Sequence, residues 1–131
     1  MGNGPSTVLV VDDDPSIRLL CRVNLELDGY RVLDAGTLGE ARDLLESEHV
    51  EALLLDVHVG GEDGYGLLDE LRAAEHDLGV ALLTGTVEID ARGAQADAVL
   101  RKPFTIEELA ETVCRLTGSS CDRDVDSHIA G

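Results

Sequence analysis

The stretch Val8-Leu-Val-Val-Asp-Asp-Asp-Pro15 decides the fold of this chain. Its unbroken apolar run is typical of a strand that is buried on both faces, as in parallel sheets covered by helices. Proline is favoured at the first position of a helix, and Asp14 before it can cap that helix. The stretch therefore predicts a strand, a carboxylate-bearing loop and a helix, which together begin a βα unit.

Three later apolar runs also end at polar side chains that can handle a cation or a phosphoryl group. Leu53-Leu-Leu55 ends on Asp56, Val80-Ala-Leu-Leu83 ends on Thr84, and Val99-Leu100 lies just before Lys102. Ligands of open α/β sheets bind outside the carboxyl ends of the strands. We therefore expect these side chains to share one cleft with Asp12 and Asp13.

Strand-like runs alternate with segments of helical periodicity, which predicts five βα units. The predicted strands are Thr7–Val11, 31–34, Ala52–Asp56, 80–84 and 99–100. The predicted helices begin at Pro15, at the Thr37-Leu-Gly-Glu40 capping box, near Gly64, after Thr84 and after Thr105. The segment after Thr84 has weak periodicity, so its helix is expected to be short.

Apolar stripes on the first and last helices predict which side chains face the sheet. The first stripe consists of Ile17, Leu20, Cys21 and Leu25, and the last of Ile106, Leu109, Val113 and Leu116. Leu19 and Val23 lie off the first stripe, on what is expected to be an outer face. Gly29 and Gly118 are expected to end these two helices.

Composition favours one soluble domain, because 131 residues with 44% hydrophobic content can fill a single core. Twenty-seven acidic against ten basic residues give a formal charge of −17, which disfavours direct binding to nucleic acid or anionic lipid. The sequence has no apolar stretch near the roughly 18 residues that suggest a membrane span, and no signal-peptide pattern. We expect a cytoplasmic location.

The three cysteines are odd in number and lack metal-ligand spacing, which predicts neither a disulfide framework nor a zinc site. Cys21 and Cys114 lie on apolar helix stripes and are expected to fill the core. Cys121 lies in a polar tail and is expected to be the freely reactive thiol.

Four motifs in order resemble those of response-regulator receiver domains of two-component signalling, including chemotaxis-type receivers. They are Val10-Val-Asp-Asp-Asp-Pro-Ser-Ile-Arg18, Leu53-Leu-Leu-Asp-Val-His58, Leu82-Leu-Thr-Gly85 and Arg101-Lys-Pro-Phe104. The resemblance implies a doubly wound, five-stranded parallel sheet of flavodoxin-like order 2-1-3-4-5 with five crossover helices, the fourth short or remodelled. It implies a receiver domain at 7–117, with residues 1–6 disordered and 118–131 a disordered tail or the start of a linker.

The residues themselves indicate the chemistry of the cleft. Asp12, Asp13 and Asp56 would offer the hard oxygen ligands that Mg²⁺ prefers. Asp56 would be the nucleophile toward a phosphoryl group. A carboxylate attacks another anion poorly, so the cation and Lys102 must offset the charge, and Thr84 would donate a hydrogen bond to a phosphoryl oxygen.

The resemblance implies finer roles for the same residues. Asp13 and Asp56 would bind the metal directly, Asp12 mainly through water, and the backbone carbonyl of His58 would complete the protein ligands. The backbone N–H groups of His58 and Gly85 would contact the phosphoryl group. The phosphoryl donor would be a histidine kinase or a histidine phosphotransfer protein, and the downstream protein target is not identified by the sequence.

The chain departs from the family pattern on the side that many receivers use for output. Val99 stands where receivers usually have tyrosine or phenylalanine, so the aromatic switch is absent. Lys102 comes only 18 positions after Thr84, about one helical turn less than is usual. Gly60 stands where proline is favoured. Phosphoryl uptake at the acidic cleft is therefore expected to be better preserved than the output contacts with a downstream partner.

Two other functions stay open at this stage. A haloacid-dehalogenase-like phosphatase would use Asp12 as its nucleophile, within an Asp-x-Asp pattern, but would need a cap that this length hardly allows. A receiver-like binding module without phosphorylation would fit the altered output side. The favoured reading is not an enzyme but a phosphoacceptor with self-catalysed phosphoryl uptake and loss, either standing alone or excised from a longer chain.

Overall fold

A computed structural model describes residues 5–85 and 95–118 of the chain. In chain order the elements are β1 (Thr7–Val11), α1 (Pro15–Leu27), β2 (Arg31–Ala35), α2 (Leu38–Ser47), β3 (Ala52–Asp56), β4 (His58–Val59), β5 (Glu62–Asp63), α3 (Tyr65–Ala73), β6 (Gly79–Thr84), β7 (Ala98–Arg101) and α4 (Ile106–Thr117). Strand and helix alternate along most of this order, as the sequence predicts.

Five parallel strands form one sheet in the order β2-β1-β3-β6-β7. These are the five predicted strands in the order 2-1-3-4-5, so the flavodoxin-like fold class is confirmed. The register aligns Val11 with Leu55, and Asp56 with Leu83. The carboxyl ends of all five strands therefore lie at one edge of the sheet.

Two apolar layers cover the two faces of the sheet. One layer packs α2 and α3 on strand residues such as Leu9 and Leu53, and the other packs α1 and α4 on the alternate residues, such as Val10 and Leu54. Alternate side chains of a strand point to opposite faces, so each unbroken apolar strand supplies both layers. This double burial fixes the register, and with it the position of the strand ends.

Side-chain caps set where three of the helices begin. Asp14 accepts a hydrogen bond from the Ser16 N–H, and Thr105 forms a full capping box with Glu108. The Thr37 hydroxyl accepts from the Glu40 N–H, but the Glu40 carboxylate accepts from the Gly36 N–H instead of closing the predicted box. Each cap satisfies N–H groups that have no partner within the helix.

A short antiparallel hairpin, β4 with β5, follows β3 and was not predicted from periodicity. Its turn consists of Gly60 and Gly61, with φ angles of +59° and +81°. Positive φ at both central residues is the geometry of a type I′ hairpin turn, which glycine adopts without strain. Gly64 then passes so close to the Asp56 carbonyl that a Cβ at this position would collide with it. The hairpin is therefore packed tightly against the end of β3.

The helix stripes are confirmed except at their ends. Cys21, Leu25, Leu109 and Val113 are buried, and Ile17 and Leu116 pack against them. Leu20 and Ile106 are 37% and 42% exposed, so their prediction as core residues is wrong.

Cys114 takes part in a disulfide bond, so its prediction as a plain core thiol is wrong. Cys121, predicted to be the freely reactive thiol, lies outside the described residues. Cys21 is a free thiol inside the core, as predicted, and burial raises its pKa to about 12.

Some predictions concern parts of the chain that the structure does not describe. The fourth predicted helix falls mainly on residues 86–94, outside the described ranges. The same is true of most of the predicted disordered ends, at 1–4 and 119–131. Among the helices of 5–85 and 95–118, none has the length and apolar character needed to cross a membrane.

Candidate functional site

The predicted cleft forms at the carboxyl edge of the sheet. Asp12 follows β1, Asp56 ends β3, Thr84 ends β6 and Lys102 follows β7. These strands are neighbours in the sheet, in the order β1-β3-β6-β7. The topology therefore brings together side chains that are far apart in sequence, as the strand-end argument predicts.

Three carboxylates meet in this cleft. One oxygen each from Asp12, Asp13 and Asp56 lies within 4.8 Å of the others, and these three form the only such acidic or metal-ligating group in the described part of the chain. Asp12 is fully buried, Asp56 nearly so, and Asp13 is exposed. Three converging carboxylate oxygens with one open side suit a hard divalent cation that keeps some of its water.

Lys102 contacts two of the three carboxylates. Its Nζ lies 2.7 Å from Asp12 Oδ2 and 3.4 Å from Asp56 Oδ2. Its backbone N–H donates to the Thr84 carbonyl at 2.7 Å, which continues the pairing of β6 with β7. Lys102 is the only lysine in the sequence, and its ammonium is held where negative charge gathers.

Burial changes the protonation behaviour of the site. Burial and the nearby Asp12 charge raise the pKa of Asp56, against the opposing effects of the His58 N–H and Lys102. Burial alone would lower the pKa of Lys102, but its hydrogen bond to Asp12 and the charges of both carboxylates raise it. The lysine therefore stays charged, while the Asp56 carboxylate is held in a setting that disfavours its charge.

Backbone N–H groups orient all three carboxylates. Asp12 Oδ1 accepts from the Asp14 N–H at 2.9 Å, and Asp56 Oδ1 accepts from the His58 N–H at 3.3 Å. Asp13 Oδ2 accepts from the N–H of Gly60, in the turn of the β4–β5 hairpin, at 3.0 Å. The loops after β1 and β3 are thus joined through the site itself.

The remaining predicted residues lie beside this centre. Thr84 is fully buried at the end of β6, and Gly85 after it is exposed. His58 begins β4 with an exposed side chain. The structure thus brings the predicted residues to one edge of the sheet, while the ligand role of the His58 carbonyl and the phosphoryl contacts of Thr84 and Gly85 stay predictions.

Two contacts to the acidic loop were not foreseen. They are the Gly60 N–H on Asp13 and the Arg18 guanidinium, whose Nη1 donates to the Asp12 carbonyl at 2.7 Å. Two adjacent glycines between short strand-like segments are a hairpin signal that could have pointed to the first contact. The second has no comparable signal, because a lone arginine in the first turn of a helix usually faces solvent.

Comparison with known proteins decides the family. Residues 8–114 match the family model of the response regulator receiver domain. The chain belongs to this family. The receiver is 38% identical over 109 residues to the response regulator MprA of Mycolicibacterium vanbaalenii, covering 80% of this chain and 47% of that protein. It is 37% identical to MprA of Mycobacterium sp. over 128 residues, which cover 94% of this chain and 56% of the relative.

Solved structures show the same fold as the receiver. A putative response regulator from Chloroflexus aurantiacus superposes with a TM-score of 0.80 at 32% identity, covering 87% of this chain and 98% of that one. Response regulator TrrA from Thermotoga maritima, solved in complex with Mg²⁺-BeF, gives a TM-score of 0.78 at 32% identity, covering 85% and 98%. The chain spans about half the length of the curated relatives it matches.

Proposed function

We propose that this receiver accepts a phosphoryl group on Asp56, with Mg²⁺ held by Asp12, Asp13 and Asp56, and thereby changes the binding of a protein partner. The observation that supports this most is the meeting of three carboxylates within 4.8 Å, two of them contacted by the Lys102 ammonium. A bound Mg²⁺ would supply positive charge for the phosphoryl oxygens and for Asp56. The His58 carbonyl is proposed as its remaining protein ligand.

The nucleophile in this proposal is an oxygen of the Asp56 carboxylate. It attacks the phosphorus of a phosphohistidine, a new P–O bond forms, and the P–N bond breaks with its electron pair returning to the imidazole. Asp56 is buried at the end of an apolar strand, so few competing water molecules reach it. The product is an acyl phosphate in the cleft.

Lys102 and Thr84 are proposed to act on the phosphoryl oxygens. Lys102 Nζ already lies 3.4 Å from Asp56 Oδ2, so a small movement would pair it with an added phosphoryl group. Such donors act where charge develops during transfer, and a buried setting strengthens them. Thr84, at the end of the neighbouring strand, would donate its hydroxyl, and the N–H groups of His58 and Gly85 would complete the contacts.

Incubation with acetyl phosphate, with and without Mg²⁺, followed by intact mass measurement tests this proposal. We expect one Mg²⁺-dependent phosphoryl adduct on the wild type and none on Asp56→Asn. Asp77→Asn is a matched control, because Asp77 is exposed and precedes β6 at the opposite edge of the sheet. A wild type without an adduct would favour a receiver-like binding module, and an adduct that survives Asp56→Asn would remove Asp56 as the acceptor.

We propose a histidine kinase or histidine phosphotransfer protein as the phosphoryl donor, and α1 as part of the surface it contacts. Leu19 and Val23 lie one turn apart on α1 and are 62% and 46% exposed, so they are not core residues. Exposed apolar side chains of this kind favour a protein contact. The downstream target stays unidentified. Three further statements remain predictions: the domain bounds of 7–117, the absence of direct nucleic-acid binding and the cytoplasmic location.

A further inference from the structure

Arg18 in the first turn of α1 reaches back to the acidic loop. Its Nη1 donates to the backbone carbonyl of Asp12 at 2.7 Å. This carbonyl belongs to the peptide group that joins Asp12 to Asp13, the two adjacent carboxylates of the site. Because a peptide group is planar, fixing its carbonyl restricts how the two side chains are oriented relative to each other.

The same stretch of backbone is also held from the other side. The Asp12 N–H donates to the Ala35 carbonyl at 3.2 Å, which extends the pairing of β1 with β2 by one residue. The N–H and C=O groups of Asp12 are thus both engaged, one by the sheet and one by Arg18. A hydrogen bond from a charged donor is stronger than one from a neutral donor, so Arg18 holds the Asp12 carbonyl more strongly than a neutral side chain would.

Gly36, the residue after β2, leaves the space through which the Arg18 side chain passes. A Cβ at Gly36 would lie 3.4 Å from Arg18 Cζ and 3.0 Å from its Nη1, and the second distance is shorter than an ordinary van der Waals contact. The φ angle of Gly36 is outside the left-handed range, so the backbone conformation does not itself require glycine. The close approach of the Arg18 guanidinium therefore accounts for glycine at position 36.

We propose that Arg18 is a positioning residue that orients the Asp12 and Asp13 carboxylates to bind a divalent cation. The absence of a side chain at Gly36 leaves room for the Arg18 guanidinium to reach the Asp12 carbonyl. The inference rests on the proposed function, because it concerns the Mg²⁺ site of that proposal. Arg18 does not touch the cation or the phosphoryl group in this account. It acts through the Asp12–Asp13 peptide group.

Charge and positioning predict opposite effects of removing Arg18. Coulomb repulsion alone would make Mg²⁺ bind more tightly once a nearby positive charge is gone. Loss of positioning would weaken Mg²⁺ binding, by about tenfold if Arg18 acts like other residues that orient metal ligands. The direction of the change therefore separates the two explanations.

The test is a Mg²⁺ titration of the unphosphorylated protein, followed by NMR or calorimetry. Arg18→Gln is expected to bind Mg²⁺ about tenfold more weakly than the wild type, and Arg18→Lys to recover part of this loss. Arg22→Gln is the matched control. It removes the same charge one turn along α1, from a side chain paired with Glu26 and Asp34. It should bind Mg²⁺ as the wild type does or slightly more tightly.

Gly36→Ala tests the same contact without changing any charge. It should shift the guanidinium by a few tenths of an ångström and weaken Mg²⁺ binding by less than Arg18→Gln does, and in Arg18→Gln it should add little further loss. Gly36→Ala also keeps the proposal testable if Arg18→Gln does not fold. Thermal unfolding without Mg²⁺ shows that each variant is folded.

The inference is overturned if folded Arg18→Gln binds Mg²⁺ as tightly as Arg22→Gln, or if Gly36→Ala has no effect. If the wild type still forms its Mg²⁺-dependent adduct in that case, the proposed function stands and only the role of Arg18 fails. A wild type that binds no Mg²⁺, or an Asp13→Ala variant that binds it normally, overturns both.

Discussion

The acidic centre and the outer face of β7 keep the receiver pattern to different degrees. At the centre, Asp12, Asp13, Asp56 and Lys102 are present and held by charged and backbone hydrogen bonds. On β7, at the edge of the sheet, Val99 replaces the usual aromatic ring and is 39% exposed. The two regions adjoin, because Lys102 follows β7, the strand that contains Val99.

The difference indicates that phosphoryl chemistry and its readout depend on separate residues. The centre needs charges at fixed distances: the buried ends of β1 and β3 supply the carboxylates, and Lys102, directly after β7, supplies the ammonium. The readout in most receivers needs a large side chain that changes position, and valine is too small for that role. We therefore expect a receiver with ordinary uptake and an output that does not use the aromatic switch.

The largest effect is expected from Lys102→Ala. Removing the ammonium should slow phosphoryl uptake from acetyl phosphate by about 100-fold or more, as for other lost donors at developing charge. Mg²⁺ binding should be unchanged or tighter, because the lysine repels the cation. The measurement pairs rates of adduct formation with a Mg²⁺ titration. Arg101→Ala, an exposed neighbour on β7, is the control. Loss of Mg²⁺ binding in Lys102→Ala would contradict the role proposed for it.

A second prediction concerns the kinase-facing surface. Leu19→Glu with Val23→Glu should slow transfer from a cognate kinase by about tenfold or more, since about 1.4 kcal/mol of lost contact energy has that effect. Uptake from acetyl phosphate should not change. Ala73→Glu, exposed at the end of α3 on the opposite face, is the control. Equal loss with both donors would show that the pair supports the fold and not docking.

A third prediction follows from the raised pKa of Asp56. The folded state disfavours the charged form, so wild-type stability without Mg²⁺ should fall as pH rises from the ordinary aspartate pKa through the raised one. Asp56→Asn should therefore have a Tm higher by at least about 2 °C at pH 7, and the difference should shrink toward pH 4. Thermal scans across pH measure this, with Asp77→Asn for comparison. A difference that grows as pH falls would show the opposite pKa shift.

The smallest effect is expected from Val99→Phe. The side chain lies on the exposed face of an edge strand, so uptake from acetyl phosphate should stay within about twofold of the wild type, as for most surface changes. Rates of adduct formation check this directly. A tenfold change in uptake would mean that the edge strand and the acidic centre are not independent after all.

The strand positions and the meeting of the acidic residues follow from the sequence because they depend on patterns that the chain itself contains, whereas the strand order was implied by the resemblance to receiver domains. Apolar runs define the strands, and double burial fixes which residue ends each one. The exposure of Leu20 does not follow, because it depends on how the helices pack on the sheet and not on the periodicity of α1 alone. The Gly60 and Arg18 contacts depend on turn and rotamer geometry, which periodicity does not encode, and a helical stripe does not show that Cys114 is disulfide-bonded.

Chemical mapping of the phosphorylated residue tests the central claim most directly. An acyl phosphate is reduced by borohydride, which converts the modified aspartate to homoserine, and peptide mass spectrometry then locates it. After treatment with acetyl phosphate and Mg²⁺, we expect homoserine at position 56 and at no other position. Homoserine at position 12 or 13, or an adduct that is stable to base, would contradict the assignment of Asp56 as the phosphoacceptor.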